Sequence, residues 1–144
     1  MVTPIASSTT PEPLGISLRL VDGDLVFDET HALAIVSGRE NLAQALTLRI
    51  LTPYGSDRFN VTYGLDLAQV FAEPHGVGVM AELVRMNIVR TLGTDPRVRE
   101  ITRVLFDGQN APTERIRLGR GWPVMVEVST VADAPIVLSA SVGV

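Results

Sequence analysis

The sequence predicts an α+β protein in which two main helices pack on a small, mostly antiparallel sheet, with an N-terminal hairpin. Apolar residues recur at helical spacing in two stretches, residues 41–50 and 77–92. Apolar and polar residues alternate, as in strands, between Ile16 and Phe27 and again from Pro112 onward. We therefore expect both helices to bury their apolar stripes against the sheet.

Length and composition predict one domain and exclude several classes of partner. The chain has 144 residues, a net charge of −4 and no cysteine. Residues 1–14 are rich in Ser, Thr and Pro and are predicted to form a flexible arm, and residues 15–144 are predicted to form a single domain. The negative charge argues against nucleic acid as a partner. No apolar run approaches the roughly 20 residues that span a bilayer, so no membrane insertion is expected.

The first elements are a hairpin and a capped helix. Asp22-Gly23 is the predicted turn of the hairpin that starts at Ile16. The spacing of Ser37 and Glu40 predicts a capping box. In a capping box the Ser37 hydroxyl accepts a hydrogen bond from the backbone N–H of Glu40, and the Glu40 carboxylate accepts one from the backbone N–H of Ser37. Pro53 ends the helix, because its ring blocks a further turn.

The helix carries an apolar stripe and leads into a turn-rich loop. The stripe consists of Leu42, Leu46 and Ile50. Gly55 and Gly64 in the loop predict backbone positions with positive φ or close approach. The loop also contains the aromatic residues Tyr54, Phe59 and Tyr63. Aromatic side chains there predict a loop that packs against the body of the protein.

The second half of the chain predicts one long helix followed by strands. The helix spans Val77 to Leu92 and is followed by Gly93 as its cap. Residues 95–106 fit either a helix with Val98, Ile101 and Leu105 on one face or a short turn that leads into a strand ending at Phe106, and the turn and strand are favoured. Further strands are predicted around Ile116 and Leu118, along Val124, Val126 and Val128, and from Ile136 to Val142.

The candidate metal and nucleic-acid sites have simpler explanations. Asp22-Gly23-Asp24 lacks the remaining ligands of a calcium loop, so a hairpin turn is favoured. His31 and His75 have no partner at metal-ligand spacing. No catalytic, metal or cofactor-binding residue is therefore assigned. An arginine group near Trp122 is interpreted first as a solvated strand face, second as a protein-docking face and third as a nucleic-acid site. Its members are Arg115, Arg117 and Arg120.

Three short pieces of the chain, in this order and spacing, resemble a known family. They are Thr52, Gly55 and Arg58; Tyr63, Gly64, Leu65, Asp66 and Leu67; and Asp95, Pro96 and Arg97. Over roughly residues 38–106 the chain resembles the sheath-initiator family, the small baseplate subunits of phage contractile tails. Related subunits occur in type VI secretion systems and extracellular contractile injection systems. The family's third piece is Glu-Pro-Arg, and Asp95 here keeps the charge on a shorter side chain.

The resemblance implies a structural baseplate subunit that acts by binding and needs no cofactor. It implies six copies around the tube, each linking wedge proteins and templating the first sheath ring, with inner tube or hub proteins as further partners. Assembly would take place in the cytoplasm, before the subunit becomes part of a virion or injection particle. The residues implied in wedge binding are Asp95, Pro96 and Arg97.

The same resemblance implies a role in strand exchange with the sheath for the C-terminal segment. The residues concerned are Ile136, Val137, Leu138, Ser139 and Ala140. The segment carries no charge, and an open strand of this kind has unpaired backbone groups that seek partners. It is explained equally well as the last strand of the domain's own sheet.

Two other functions remain open from the sequence. One is a small regulatory binding protein, since an anti-adaptor of the stress response is a known relative of the same fold. The other is a lysozyme-like cell-wall hydrolase, which needs two carboxylates about 5 to 10 Å apart across a cleft. Nothing distinguishes one such pair among the 16 Asp and Glu residues.

Overall fold

A computed structural model of the chain describes residues 12–106 and 121–143. Within these ranges the protein has three helices and seven strands. In chain order the elements are β1 (Ile16–Leu18), β2 (Leu20–Val21), β3 (Asp24–Leu25), β4 (Ile35–Ser37), α1 (Gly38–Leu51), α2 (Ala68–Ala72), α3 (Val77–Leu92), β5 (Val98–Phe106), β6 (Trp122–Thr130) and β7 (Ile136–Val142). No helix in the described ranges is long and apolar enough to cross a membrane.

The described strands form three antiparallel sheets, so the predicted architecture of two helices on one small sheet is wrong. β1 pairs with β4, β2 pairs with β3, and β5, β6 and β7 form a three-stranded sheet in that order. A short third helix, α2, accompanies the two long ones. The strands separate because α1 contacts β1 and β4 as well as β7, and therefore lies between the N-terminal strands and the three-stranded sheet.

The N-terminal hairpin is shorter than predicted. β2 and β3 pair across a turn in which Asp22 and Gly23 have φ values of 52° and 89°. Two consecutive positive φ values are typical of a two-residue hairpin turn. β1 pairs with β4 instead of continuing the hairpin. The chain reverses a second time between Phe27 and Leu33, which form an isolated antiparallel bridge.

The helix α1 begins and ends where the sequence predicts, but its start is held differently. Ser37 is the N-cap residue, and Thr52, just before Pro53, is the C-cap. The predicted capping box is wrong, because no side chain hydrogen-bonds at the cap. Glu40 faces the N-terminal strands and there accepts a hydrogen bond from Arg19, with 3.0 Å between Nη2 and Oε2.

The hydrophobic core lies between the two long helices and one face of the three-stranded sheet. α1 contacts β7, α3 contacts β5, and the two helices contact each other. The predicted stripe of α1 is buried, as are Val84, Ile88 and Leu92 of α3, whereas Val77 remains exposed. The sheet contributes alternate residues, which are Val104, Trp122, Val124, Val126, Val128, Ile136, Leu138 and Val142.

The C-terminal strands confirm the predicted pattern in the described residues. β7 has the predicted bounds, and Val124, Val126 and Val128 share the buried face of β6. The predicted strand at Ile116 and the arginines beside it lie outside the described residues. Trp122 is only 2% exposed and stacks on Phe106 with 4.4 Å between ring centroids, so its ring is not available to a nucleic-acid base.

Candidate functional site

Asp95 and Arg97 form a compact ion pair at the start of β5. One Asp95 oxygen, Oδ1, accepts hydrogen bonds from the Arg97 backbone N–H at 3.0 Å and from its Nε at 2.9 Å. The other, Oδ2, accepts from Nη2 at 2.7 Å. The two side chains are 7% and 27% exposed. The two side chains thus pair with each other, and their contact with wedge proteins stays a prediction.

The electrostatics of this pair favour its charged form. The hydrogen bond from Arg97 lowers the pKa of Asp95 below its ordinary value of 3.8, and outweighs burial, which would raise it. The hydrogen bond to Asp95 raises the pKa of Arg97. Both groups are thus ionised at neutral pH, and two parallel N–H···O bonds make this a strong type of pair.

Arg97 of this ion pair also anchors the segment that precedes β1. Arg97 Nη1 donates to the Leu14 carbonyl at 3.1 Å, and the same carbonyl accepts from Asn41 Nδ2 at 2.8 Å. Leu14 itself is buried in the core. The pair therefore joins the start of β5 to the segment that leads into β1, while the neighbouring Pro96 is exposed.

The segment from Thr52 to Leu67, hereafter the motif loop, returns to the end of α1. The Thr52 carbonyl accepts from the Leu65 N–H at 2.8 Å, and the Leu65 carbonyl accepts from the Tyr54 N–H at 3.1 Å. The predicted positive φ at Gly55 and Gly64 is confirmed, with values of 77° and 108°. Residues of the resemblance thus build the closure of this loop, and their role in a partner contact stays a prediction.

The aromatic residues of the motif loop do not all hold it down. Tyr63 lies under the Arg49 guanidinium, 4.9 Å from ring centroid to Cζ, and this contact pins the loop to α1. The prediction is wrong for Phe59, which is 100% exposed at the tip, and Tyr54 is exposed too. The sequence shows that an aromatic residue is present but not which surface it packs against. The exposure of Phe59 was therefore missed.

β7 is at the same time a core strand and an edge strand. It pairs with β6 from Val128↔Ile136 to Trp122↔Val142, and its inner side chains are buried against α1. In the described ranges no further strand pairs with β7. Within the described ranges, the only backbone hydrogen bonds of β7 are those of its ladder with β6. Both sequence interpretations of this segment are therefore compatible, because the strand completes the core and its outer edge is unpaired within residues 12–106 and 121–143.

A second exposed surface, the N-terminal apolar face, was missed by sequence reasoning. Leu18 pairs with Ile35, and Phe27 bridges Leu33, so these side chains and Ile16 follow one face of the small sheets. All five are exposed. Their alternation predicted one apolar face of a strand, but whether that face is covered depends on elements that are distant in sequence. Monomeric soluble proteins rarely expose contiguous apolar patches of this kind without a partner.

The described residues offer no metal-binding group of three or more His, Cys, Asp or Glu side chains. Asp22 and Gly23 form the hairpin turn described above, and His75 lies 3.6 Å from Glu73. The described geometry therefore consists of an ion-paired turn, an open strand edge and exposed apolar side chains. These are features of a binding surface.

Comparison with known proteins places the chain in a family. A search of curated proteins finds no match. A family model described as contractile injection system sheath initiator matches residues 16–113. The match covers more than half of the 144-residue chain. The chain therefore belongs to the contractile injection system sheath initiator family, a family of structural components of contractile injection particles and not of enzymes.

Proposed function

We propose that this chain is a baseplate subunit that links wedge proteins around the inner tube and templates the first sheath ring by strand addition. Six copies would surround the tube, assembled in the cytoplasm. Family membership supports the general role. The observation that carries the specific role is the edge of β7 that no other strand of the described residues pairs with, because strand addition requires a rigid sheet with an unpaired edge.

The contacts of β7 support its use as a docking edge. Its inner face is fixed by Ile136, Leu138 and Val142 in the core, so the edge is already ordered before a partner arrives. A preformed edge lowers the conformational cost of binding. The middle of the strand carries the small residues Ser139, Ala140 and Ser141, which let a neighbouring strand approach closely. The proposed sheath contact therefore runs along Ile136 to Ala140.

The proposed wedge contact is centred on Asp95, Pro96 and Arg97. The ion pair holds the backbone of this turn in one conformation, and Pro96 is exposed on it. Arg97 also lines a shallow groove with Ile16 and Leu18 of the N-terminal apolar face. A wedge protein could thus bind the rigid turn and bury adjacent apolar area in one contact, which is the usual composition of a stable interface.

The sheath contact is tested by placing charges beside the open edge. Val137 and Ser139 are exposed, so the double variant Val137→Lys, Ser139→Lys should fold as the wild type does. Lysines on an edge strand oppose further pairing. We expect baseplates that contain this variant to form but to carry no sheath when examined by electron microscopy.

A matched control places the same charges on the same outer sheet face but on the other two strands, β5 and β6. Leu105 and Met125 lie opposite each other on β5 and β6 and are exposed. The variant Leu105→Lys, Met125→Lys should support normal sheath. Sheathed particles from the β7 variant would exclude strand addition at this edge, and loss of sheath from the control alone would assign the contact to the sheet face.

A further inference from the structure

The tip of the motif loop presents Phe59 on a rigid support. The Asp57 carboxylate oxygen Oδ1 accepts hydrogen bonds from the backbone N–H groups of Phe59 at 2.8 Å and Asn60 at 3.2 Å. At the base of the tip, Ser56 N and Oγ donate to the Pro53 carbonyl at 3.1 and 2.7 Å. The loop is thus organised internally, yet its largest apolar side chain is 100% exposed.

The same chain has an apolar pocket that its own Phe59 does not enter. The pocket lies between the end of α1, the start of α2 and the end of β7, and has a volume of about 240 Å³. The side chains that line it are largely apolar and include Leu51, Leu65, Leu67, Phe71 and Val142. Asp66 lies on its wall and is exposed. The pocket therefore combines an apolar interior with a negative charge at its rim.

The charges beside the tip and beside the pocket are complementary. Arg58 precedes Phe59 and is exposed. Within residues 12–106 and 121–143, neither Arg58 nor Asp66 belongs to an ion pair. A neighbouring copy that inserts Phe59 into this pocket would therefore bring Arg58 towards Asp66. Exposed aromatic residues and arginines are the usual anchors of protein interfaces.

We propose that Phe59 of one copy of this chain binds in the pocket between α1, α2 and β7 of a second copy, with Arg58 paired to Asp66 across the contact. The contact concerns only copies of this chain and goes beyond the proposed binding of wedge and sheath proteins. It is tested on the purified full chain alone, so its failure would leave the proposed sheath contact untouched, and the reverse also holds.

The first experiment measures self-association by analytical ultracentrifugation over a range of concentrations. The wild-type chain should form dimers or larger species as concentration rises. Phe59→Ala should weaken association by at least about 30-fold, the effect of removing a hot-spot side chain. The matched control is Phe27→Ala, which removes an exposed phenyl from the N-terminal apolar face. Self-association should survive that change.

The second experiment exchanges the charges. Arg58→Asp and Asp66→Arg should each weaken self-association, because each places like charges across the contact. The double variant Arg58→Asp, Asp66→Arg restores an opposite pair and should recover most of the wild-type association. Circular dichroism of each variant verifies that it is folded.

Each of the following results would overturn the proposal. They are a wild-type chain that stays monomeric at every concentration, a Phe59→Ala variant that associates as the wild type does, and a charge-swapped double variant that is no better than its single parents. Loss of association in Phe27→Ala but not in Phe59→Ala would move the contact to the N-terminal apolar face and overturn it as well.

Discussion

Gly64 has a backbone φ of 108°, a conformation that L side chains rarely adopt. A Cβ atom at this position would lie 2.5 Å from the Thr52 carbonyl oxygen and 2.8 Å from that of Pro53. The Thr52 carbonyl cannot move away freely, because it accepts the hydrogen bond from Leu65 that closes the motif loop. The position thus requires glycine for both conformation and space.

The first prediction compares two glycine substitutions. Gly64→Ala should lower the free energy of unfolding by at least about 2 kcal/mol, since the strained backbone and the clash act together. Gly78→Ala is the control, because Gly78 lies within α3 and a Cβ there meets no atom within 4 Å. It should raise stability by about 0.5–1 kcal/mol. Urea titrations measure the free energy of unfolding of both variants. Equal stability of the two variants would contradict the steric argument.

The ion pair at the start of β5 predicts a pH dependence of stability. In the folded chain Arg97 holds the pKa of Asp95 below 3.8, whereas in the unfolded chain the carboxyl titrates near 3.8. Between the two values the unfolded state binds more protons, so stability rises with pH there. The contribution of the pair is present above 3.8 and is lost as the pH falls through the folded pKa.

The second prediction is therefore that Asp95→Asn is less stable than the wild type at pH 7, by about 1–3 kcal/mol, and that this difference narrows at acid pH. Thermal or urea unfolding between pH 7 and pH 2 measures it. Asp24→Asn, at an exposed hairpin position, is the control for loss of a carboxylate. A constant difference at all pH values would exclude the ion pair as the cause.

At the scale of the element, β7 supplies buried side chains to the core and receives α1 on its inner face. Deleting it would expose α1 and leave β6 as a new edge. If the segment were mainly a docking edge, a chain ending at Asp133 should stay folded. The packing of Ile136, Leu138 and Val142 predicts the opposite outcome.

The third prediction is that the chain truncated after Asp133 is insoluble or unfolded, since each buried Leu or Ile lost from a core costs about 2–5 kcal/mol. Circular dichroism measures whether the truncated chain is folded, and its solubility under native conditions is measured alongside. The full-length variant Val137→Lys, Ser139→Lys is the matched comparison, because it changes the edge and keeps the core. A soluble, cooperatively folded truncation would show that β7 contributes little to the domain.

At the scale of the whole molecule, α1 holds two unequal parts together. On one side it packs against the three-stranded sheet through apolar side chains. On its other side α1 binds the short N-terminal strands through polar side chains. Asn41 contacts Ser17 at 2.5 Å and the Leu14 carbonyl at 2.8 Å. Gln44 accepts from the Leu20 N–H at 2.9 Å and donates to the Leu18 carbonyl at 2.8 Å.

The fourth prediction is that the N-terminal sheets open before the three-stranded sheet does. Their strands have two or three residues and an exposed apolar face, so local opening should cost less free energy there than in β6. Hydrogen exchange should be faster in β1 to β4, and Asn41→Ala should accelerate it there while leaving β6 unchanged. Asn87→Ala, which removes a hydrogen bond within α3, is the control. Equal acceleration in β6 would indicate a single cooperative unit.

The sequence by itself determined the elements whose signals are local. The bounds of α3 and β7, and the end of α1 before Pro53, follow from residue periodicity and from proline and glycine chemistry. The positive φ at Gly64 is also local, since it depends on one residue.

Only the tertiary structure decided how these elements are arranged. In the described residues the N-terminal strands form no ladder with the three-stranded sheet, because α1 lies between them. Glu40 leaves its predicted cap because Arg19, between β1 and β2 and distant in sequence, donates a hydrogen bond to its carboxylate. The exposure of Phe59, and the β7 edge that is left unpaired in the described ranges, depend on which surfaces pack together in the fold. Burial is a property of long-range packing, and a local pattern specifies which face is apolar but not what covers it.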